Sequence, residues 1–187
     1  MDQQTPEPTQ HTEKDTEQQT MVEGIRFEHR RYSLGIGTAS PRVSWIVQTK
    51  KENWRQSACQ LRQVSPQGAM IATSEKLLVD DSNLIPWPFK PLTSRERCAV
   101  QVRVWDQDGF PSEWSEPAWV EAGLLKPEDW HAHFITPAFA KQKKEAQPLP
   151  QLRCTFLVKP GLKHARLYIT ALGVYVAEIN GQSVGDA

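Results

Sequence analysis

A chain of 187 residues has room for one or two small domains, and its 22 Lys and Arg against 22 Asp and Glu leave no formal net charge. That balance excludes long-range electrostatic attraction as a route to nucleic acid or to an anionic membrane. No run approaches the roughly 20 consecutive apolar residues of a membrane-spanning helix.

Residues 1–21 hold almost nothing to bury, so ordering them would cost about 1–2 kcal/mol per residue with no hydrophobic return. A disordered tail is expected there. Val22 to Tyr32 predicts a first strand with Ile25 and Phe27 on one face, after which L-G-I-G-T-A-S-P-R breaks the chain. Arg42 to Thr49 predicts a second strand, with Val43, Trp45 and Val47 sharing a face. A third strand is expected within Glu52 to Val64. Its alternation through Cys59 and Leu61 turns Gln63 inward, a flaw that a bulge near Val64 would relieve. Pro66 to Gly68 reads as a turn, and Met70 to Val79 as a weak strand or crossing segment. The prolines between Asp80 and Arg97 impose an extended path.

Cys98 to Leu125 carries the clearest pattern. Val100, Val102 and Val104 alternate with Gln101, Arg103 and Trp105, as in a strand with one buried face. D-Q-D-G-F-P-S then turns the chain, and Trp114 to Glu121 can return antiparallel, with Pro117 suited to an edge or a bulge. Burial of each valine is worth roughly 1.5–3 kcal/mol, so the hairpin needs a second layer. Within Lys126 to Ile135, Pro127 sits where a short linker or helical turn would start, and Pro137 to Gln151 reads as an exposed loop. Leu152 to Val158, Ala165 to Thr170 and Val174 to Ile179 predict further strands, and Asn180-Gly181 a type I′ turn.

These elements define an all-β chain. The V-x-V strand, the Gly-containing loop and the W-S-E-P stretch resemble the last two strands of a fibronectin type III-like (immunoglobulin-like) β-sandwich. The longer string V-R-V-W-D-x-D-G-x-P-S-x-W-S-E-P-A-x-x-E-x-G-L-L resembles the N-terminal region of α-L-rhamnosidases, inverting glycoside hydrolases of terminal rhamnose. L-G-I-G-T-A-x-P-R-x-S-W, W-R-Q-x-A-x-Q-L, L-L-x-P-x-D-W-x-A and A-R-L-Y-I-T-A-L-G-V-Y-V-A-E-I-N-G-Q-S-V-G-D resemble the same region. The resemblance implies a fibronectin-like sandwich over residues 22–124, a linker and loop over 125–151, and the first strands of a second, incomplete β-sandwich over 152–187. In the family a helical barrel carries catalysis. The resemblance therefore implies a non-catalytic fragment of an α-L-rhamnosidase, with no catalytic residue, cofactor or metal in this chain. The remaining domains of the parent enzyme are the expected partner. The alternative is a stand-alone module that binds a rhamnose-containing carbohydrate or another protein.

Asp106, Asp108, Glu113 and Glu116 cluster at the hairpin loop, where an inverting pair would need carboxyls about 6.5–9.5 Å apart. Acids at a hairpin tip are expected to stay hydrated, with ordinary pKa values. His131 and His133 would share a strand face but are too few for a catalytic zinc. Tyr175, Glu178 and Asn180 could edge a sugar site, although packing accounts for Tyr175 and the turn for Asn180. Cys59, Cys98 and Cys154 form no C-x-x-C pair, so free thiols in a cytoplasmic protein are expected. Cys59 and Cys98 could occupy neighbouring strands. The seven tryptophans are expected mainly in the core or between domains.

Overall fold

The computed structural model describes residues 20–30, 32–137 and 149–184, so residues 1–19 of the expected tail lie outside the described residues. The chain divides into two compact units, Met1–Trp130 and His131–Ala187.

In the first unit, β1 (Met21–Phe27) pairs antiparallel with β2 (Val43–Gln48). A second sheet has the order β4-β3-β5-β6, from β3 (Gln56–Val64), β4 (Met70–Thr73), β5 (Arg97–Asp106) and β6 (Ala118–Glu121). The inner positions of β3 and β5, Cys59, Leu61, Val100, Val102 and Val104, are buried against Val22, Phe27, Val43 and Trp45 of the first sheet. The two apolar faces cover each other, which is the condition for a stable sandwich.

Strict alternation along β1 puts Ile25 and Phe27 together but leaves Val22 outside. A bulge corrects the parity: Glu23 pairs with Ile46 and Arg26 with Ser44, so Gly24 and Ile25 together oppose Trp45. Gly24 supplies the φ of +60° that this geometry requires. Val22 and Phe27 are thereby both buried, and Ile25 packs against the core.

The register does shift at Gln63–Val64, but against β4 and not against β5. Pairing of β3 with β5 runs unbroken from Ala58 to Val64, and the extra residue is Ile71 of β4. Gln63 does face inward, 4% exposed, with its amide beside the Cys98 thiol.

The proline-containing segment after Val79 is extended, as expected, and serves as core. Ile85 exchanges backbone hydrogen bonds with Val43 (2.8 and 2.9 Å), and Trp45 N–H donates to Ser82 O at 3.0 Å. The buried Trp87 ring meets Phe27 and Phe89 edge-on, at centroid distances of 6.4 and 5.1 Å. The L-G-I-G stretch closes the side of the sandwich along β6. Glu121 N–H donates to Ser33 O, and Ile36 N–H to Glu121 O. Gly123 passes so near that a Cβ there would lie 3.1 Å from Gly35 O.

The turn after β1 is held from outside. Glu28 and His29 both have positive φ, 51° and 59°. Glu28 receives the Arg42 backbone N–H (2.7 Å) and its guanidinium, and returns its own N–H to Arg42 O (3.0 Å). The Arg42 hydrogen bonds pull the Glu28 carboxyl down to about 2, from an ordinary 4.5. A depressed folded-state pKa stabilises above the unfolded value and ceases to do so as pH falls through the folded one. The melting temperature of Glu28→Gln is therefore expected to trail that of the parent by a few degrees at pH 6, since the pair is partly solvated. The gap should close between pH 4.5 and about 2. A gap unchanged at pH 2.5, measured by thermal melts across pH, would show that the charge contributes nothing.

The second unit is far less regular. Its ladder among the described residues is β7 (Glu178–Ile179) with β8 (Gln182–Ser183), closed by Asn180 and Gly181 at φ 53° and 77°. These are the positive values of the expected I′ turn. The strands expected over 152–158 and 165–170 are absent from the described residues, and that from Val174 to Ile179 shrinks to its last two residues. Leu157, Leu172 and Val174 are at least 90% exposed. Alternating apolar residues give strand propensity, but a strand forms only where a neighbour supplies a ladder and a face to cover.

Candidate functional site

The hairpin loop gathers two of the four acids expected there. Asp106, closing β5, is not a hydrated tip residue: it is 5% exposed. Its carboxylate accepts the backbone N–H of Asp108 (3.0 Å) and of Phe110 (2.9 Å) and the Lys51 ammonium (2.8 Å). Burial pushes its carboxyl up, but Lys51 and the two N–H donors outweigh that and hold it below the usual range. Asp108 binds the same ammonium at 2.7 Å. Both carboxylates raise the Lys51 pKa, with Asp106 contributing more. Glu113 and Glu116 are exposed and form no ion pair among the described residues. The loop therefore has its acids organised around an ammonium, which locks the hairpin to the turn before β3. Nothing in the sequence pairs Lys51 with a loop more than 50 residues away.

A second constellation lies on the outer face of the four-stranded sheet. The register sets Gln60 opposite Arg103 and Arg62 opposite Gln101. Arg103 donates to Gln60 Oε1 at 2.8 Å, and Arg62 Nε to Gln101 Oε1 at 3.0 Å. The guanidiniums also stack. Arg62 lies 4.4 Å and Arg103 4.8 Å from the Trp114 ring, while Arg103 and Lys76 flank Trp105 at 4.8 and 4.4 Å. Cations and rings thus alternate in the order Arg62, Trp114, Arg103, Trp105, Lys76, each contact of the cation–π kind.

Serines complete the sheet where β4 and β6 fall short. Ser74 donates its N–H to Leu61 O (2.8 Å) and accepts Leu61 N–H on Oγ (3.0 Å). Ser115 does the same for Val102 and Ser112 for Val104, with both N–H groups of β5 ending on hydroxyls. One serine thereby satisfies both backbone groups of an inner residue, as a strand would. This is why the return leg expected from Trp114 is a regular strand only from Ala118. The sequence holds a signal for both features. Q-L-R at 60–62 and Q-V-R at 101–103 are matching triplets, and Ser-Glu recurs at 74–75, 112–113 and 115–116.

The other candidates do not converge. Cys59 and Cys98 do lie on neighbouring strands, but Cys59 faces Val104 while Cys98 follows the Val64–Ala99 pair at the far end. That is about 17–20 Å along the sheet, far beyond disulfide reach. Burial pushes the Cys59 thiol up to about 12 and raises that of Cys98. His131 and His133 are exposed and lie on no strand. Tyr175 is not packed away: it is 44% exposed, its hydroxyl donating to Ile169 O at 3.3 Å. Glu178 and Asn180 belong to the β7–β8 hairpin. Among the described residues no three His, Cys, Asp or Glu side chains are grouped to hold a metal, and no helix is long and apolar enough to cross a membrane.

Fold and surface together define an immunoglobulin-like β-sandwich module followed by a second, sparsely paired β unit. Residues 22–126 match the family described as Rha78A-like, N-terminal immunoglobulin domain, and residues 161–187 match the α-L-rhamnosidase N-terminal domain. The chain belongs to the Rha78A-like N-terminal immunoglobulin domain family and corresponds to the N-terminal region of α-L-rhamnosidases. It is 35% identical over 162 residues to an α-L-rhamnosidase of Alteromonas sp. (strain LOR), an alignment covering 81% of this chain and 18% of that protein. It is 40% identical over 113 residues to an α-L-rhamnosidase of Streptomyces avermitilis, covering 58% of this chain and 11% of that protein. The chain thus spans less than a fifth of these relatives. Among solved structures, the Streptomyces avermitilis α-L-rhamnosidase complexed with L-rhamnose superposes with a TM-score of 0.56 at 38% identity, over 60% of this chain and 11% of the other. The Aspergillus terreus enzyme gives a TM-score of 0.55 at 37% identity, over 60% and 13%.

Proposed function

We propose that this chain is a non-catalytic accessory part of an α-L-rhamnosidase whose other domains hydrolyse terminal α-L-rhamnosyl residues of glycosides or polysaccharides. The observation that carries the reading is the state of the hairpin acids. An inverting glycosidase needs one carboxyl raised to act as acid and a gap for water before the other. Here Asp106 is held below its ordinary range, and the Lys51 ammonium bridges it to Asp108. The α-L-rhamnosidase relatives support the parent activity, and the remaining domains of that parent are the proposed partner. A stand-alone carbohydrate-binding role has weaker support, because the Trp105 and Trp114 rings that would stack on a sugar already carry cations. The separated, unpaired thiols Cys59 and Cys98 fit a reducing, cytoplasmic setting.

The purified chain is expected to release no phenol from an aryl α-L-rhamnoside above a buffer blank. Turnover that disappears in Asp106→Asn or Glu113→Gln would overturn the accessory assignment.

A further inference from the structure

Beyond β6 the chain does not leave the sandwich at once. Residues 125–130 turn back onto the loop that precedes β5. Leu125 N–H donates to Ser94 Oγ at 3.0 Å, and the Ser94 hydroxyl donates to the Asp129 carboxylate. The same carboxylate oxygen accepts Lys126 N–H at 3.0 Å. Arg95 donates through its guanidinium to Asp129 O (3.0 Å) and through its backbone N–H to Gly123 O (3.1 Å). Arg95 holds φ at +67°, a conformation that a side chain larger than glycine adopts only when its surroundings impose it.

The receiving loop is itself fixed. Glu96 accepts Thr93 N–H (2.8 Å) and the Thr93 hydroxyl (2.9 Å), and its carbonyl accepts Ala122 N–H (2.9 Å). The captured segment is the 3₁₀ turn Pro127–Asp129, closed by Asp129 N–H to Lys126 O and Trp130 N–H to Pro127 O, both 3.1 Å. A single 3₁₀ turn does not persist alone in water. It buries no residue of its own, so its order comes from these polar contacts.

We propose that Ser94, Arg95 and Asp129 form a clasp that makes the chain through Trp130 a rigid part of the sandwich. Gly123 is held by Ile36 O (2.9 Å) and Leu125 packs against the core, so the clasp adds the stretch from Lys126 to Trp130, which has no apolar anchor of its own. The clasp is a conformational device of the module, and it stands whether or not the rhamnosidase reading does.

Amide hydrogen exchange of the full chain tests it at Leu125 and Trp130, whose acceptors are Ser94 and Pro127 and not Asp129 itself. In Asp129→Ala both amides are expected to exchange about ten- to a hundredfold faster, since they lose cooperative order and not a direct partner. Protection of Val100, Val102 and Val104 should stay at parent values. Ser94→Ala should speed the Trp130 amide by a similar factor, and it carries the test if Asp129→Ala lowers β5 protection. Trp130 exchange unchanged in both variants, or already as fast in the parent as at residues 131–136, would overturn the clasp.

Discussion

Replacing Trp45 with alanine is expected to cost the first unit about 3–5 kcal/mol, a large share of the 5–15 kcal/mol typical of a whole domain. The ring is 4% exposed and packs at the β1 bulge between the sheets. Its Nε1–H donates to Gln56 Oε1 at 3.2 Å, and Gln56 in turn donates to Val79 O (3.1 Å) and Asp81 O. Alanine would therefore leave a cavity and strand a buried amide oxygen, which adds a desolvation penalty to the loss of packing. Trp45→Phe separates the two terms: it retains most of the ring, and its cost, about 1–3 kcal/mol, is chiefly that of the orphaned Gln56 acceptor. Urea titrations of the two variants check this. A Trp45→Ala midpoint equal to the parent's would mean that this ring does not hold the two sheets together.

How much of this could be read in advance depended on the range of the interaction. The alternation of Val100, Val102 and Val104 is local, and each of these side chains is buried as the pattern requires. Trp45 followed from the same rule on β2. Inward Gln63 was also in the pattern, and the register shift beside it lies against β4. Val22 was missed because a single Gly24 bulge reverses the parity of the residues before it. Asp106 looked like a loop acid because the ammonium that pairs with it lies on a different turn of the chain. The cation–ring ladder needs the β3–β5 register before Gln60 meets Arg103, and register is a tertiary fact even though both Q-x-R triplets are visible. The second unit shows the converse. Its residues carry the composition and alternation of strands, yet a strand's hydrogen bonds belong to its neighbour, and that neighbour cannot be read from the strand itself.

That dependence leads to the second large effect. In the monomeric chain, amides of Leu167, Ile169, Val174 and Val176 are expected to exchange at least about a thousandfold faster than those of Val100, Val102 and Val104. The β5 amides sit in a ladder bonded on both sides, to β3 and to β6 or its serine substitutes, and they open only with the whole domain. In the second unit, the regular ladder among the described residues is limited to two-residue strands, and a hairpin of that size is marginal in water. The apolar side chains bring no compensating burial: Leu167 is 51%, Ile169 47%, Val176 77% and Val174 fully exposed. Hydrophobic stabilisation scales with area removed from water, so these residues contribute little until a second layer covers them. Exchange is best measured at low protein concentration, since an exposed apolar face can find cover in another copy of the chain. Protection at Leu167 to Val176 equal to that of β5 in a monomer would show that this unit closes a core by itself. Protection that rises with concentration would show that its cover comes from another chain.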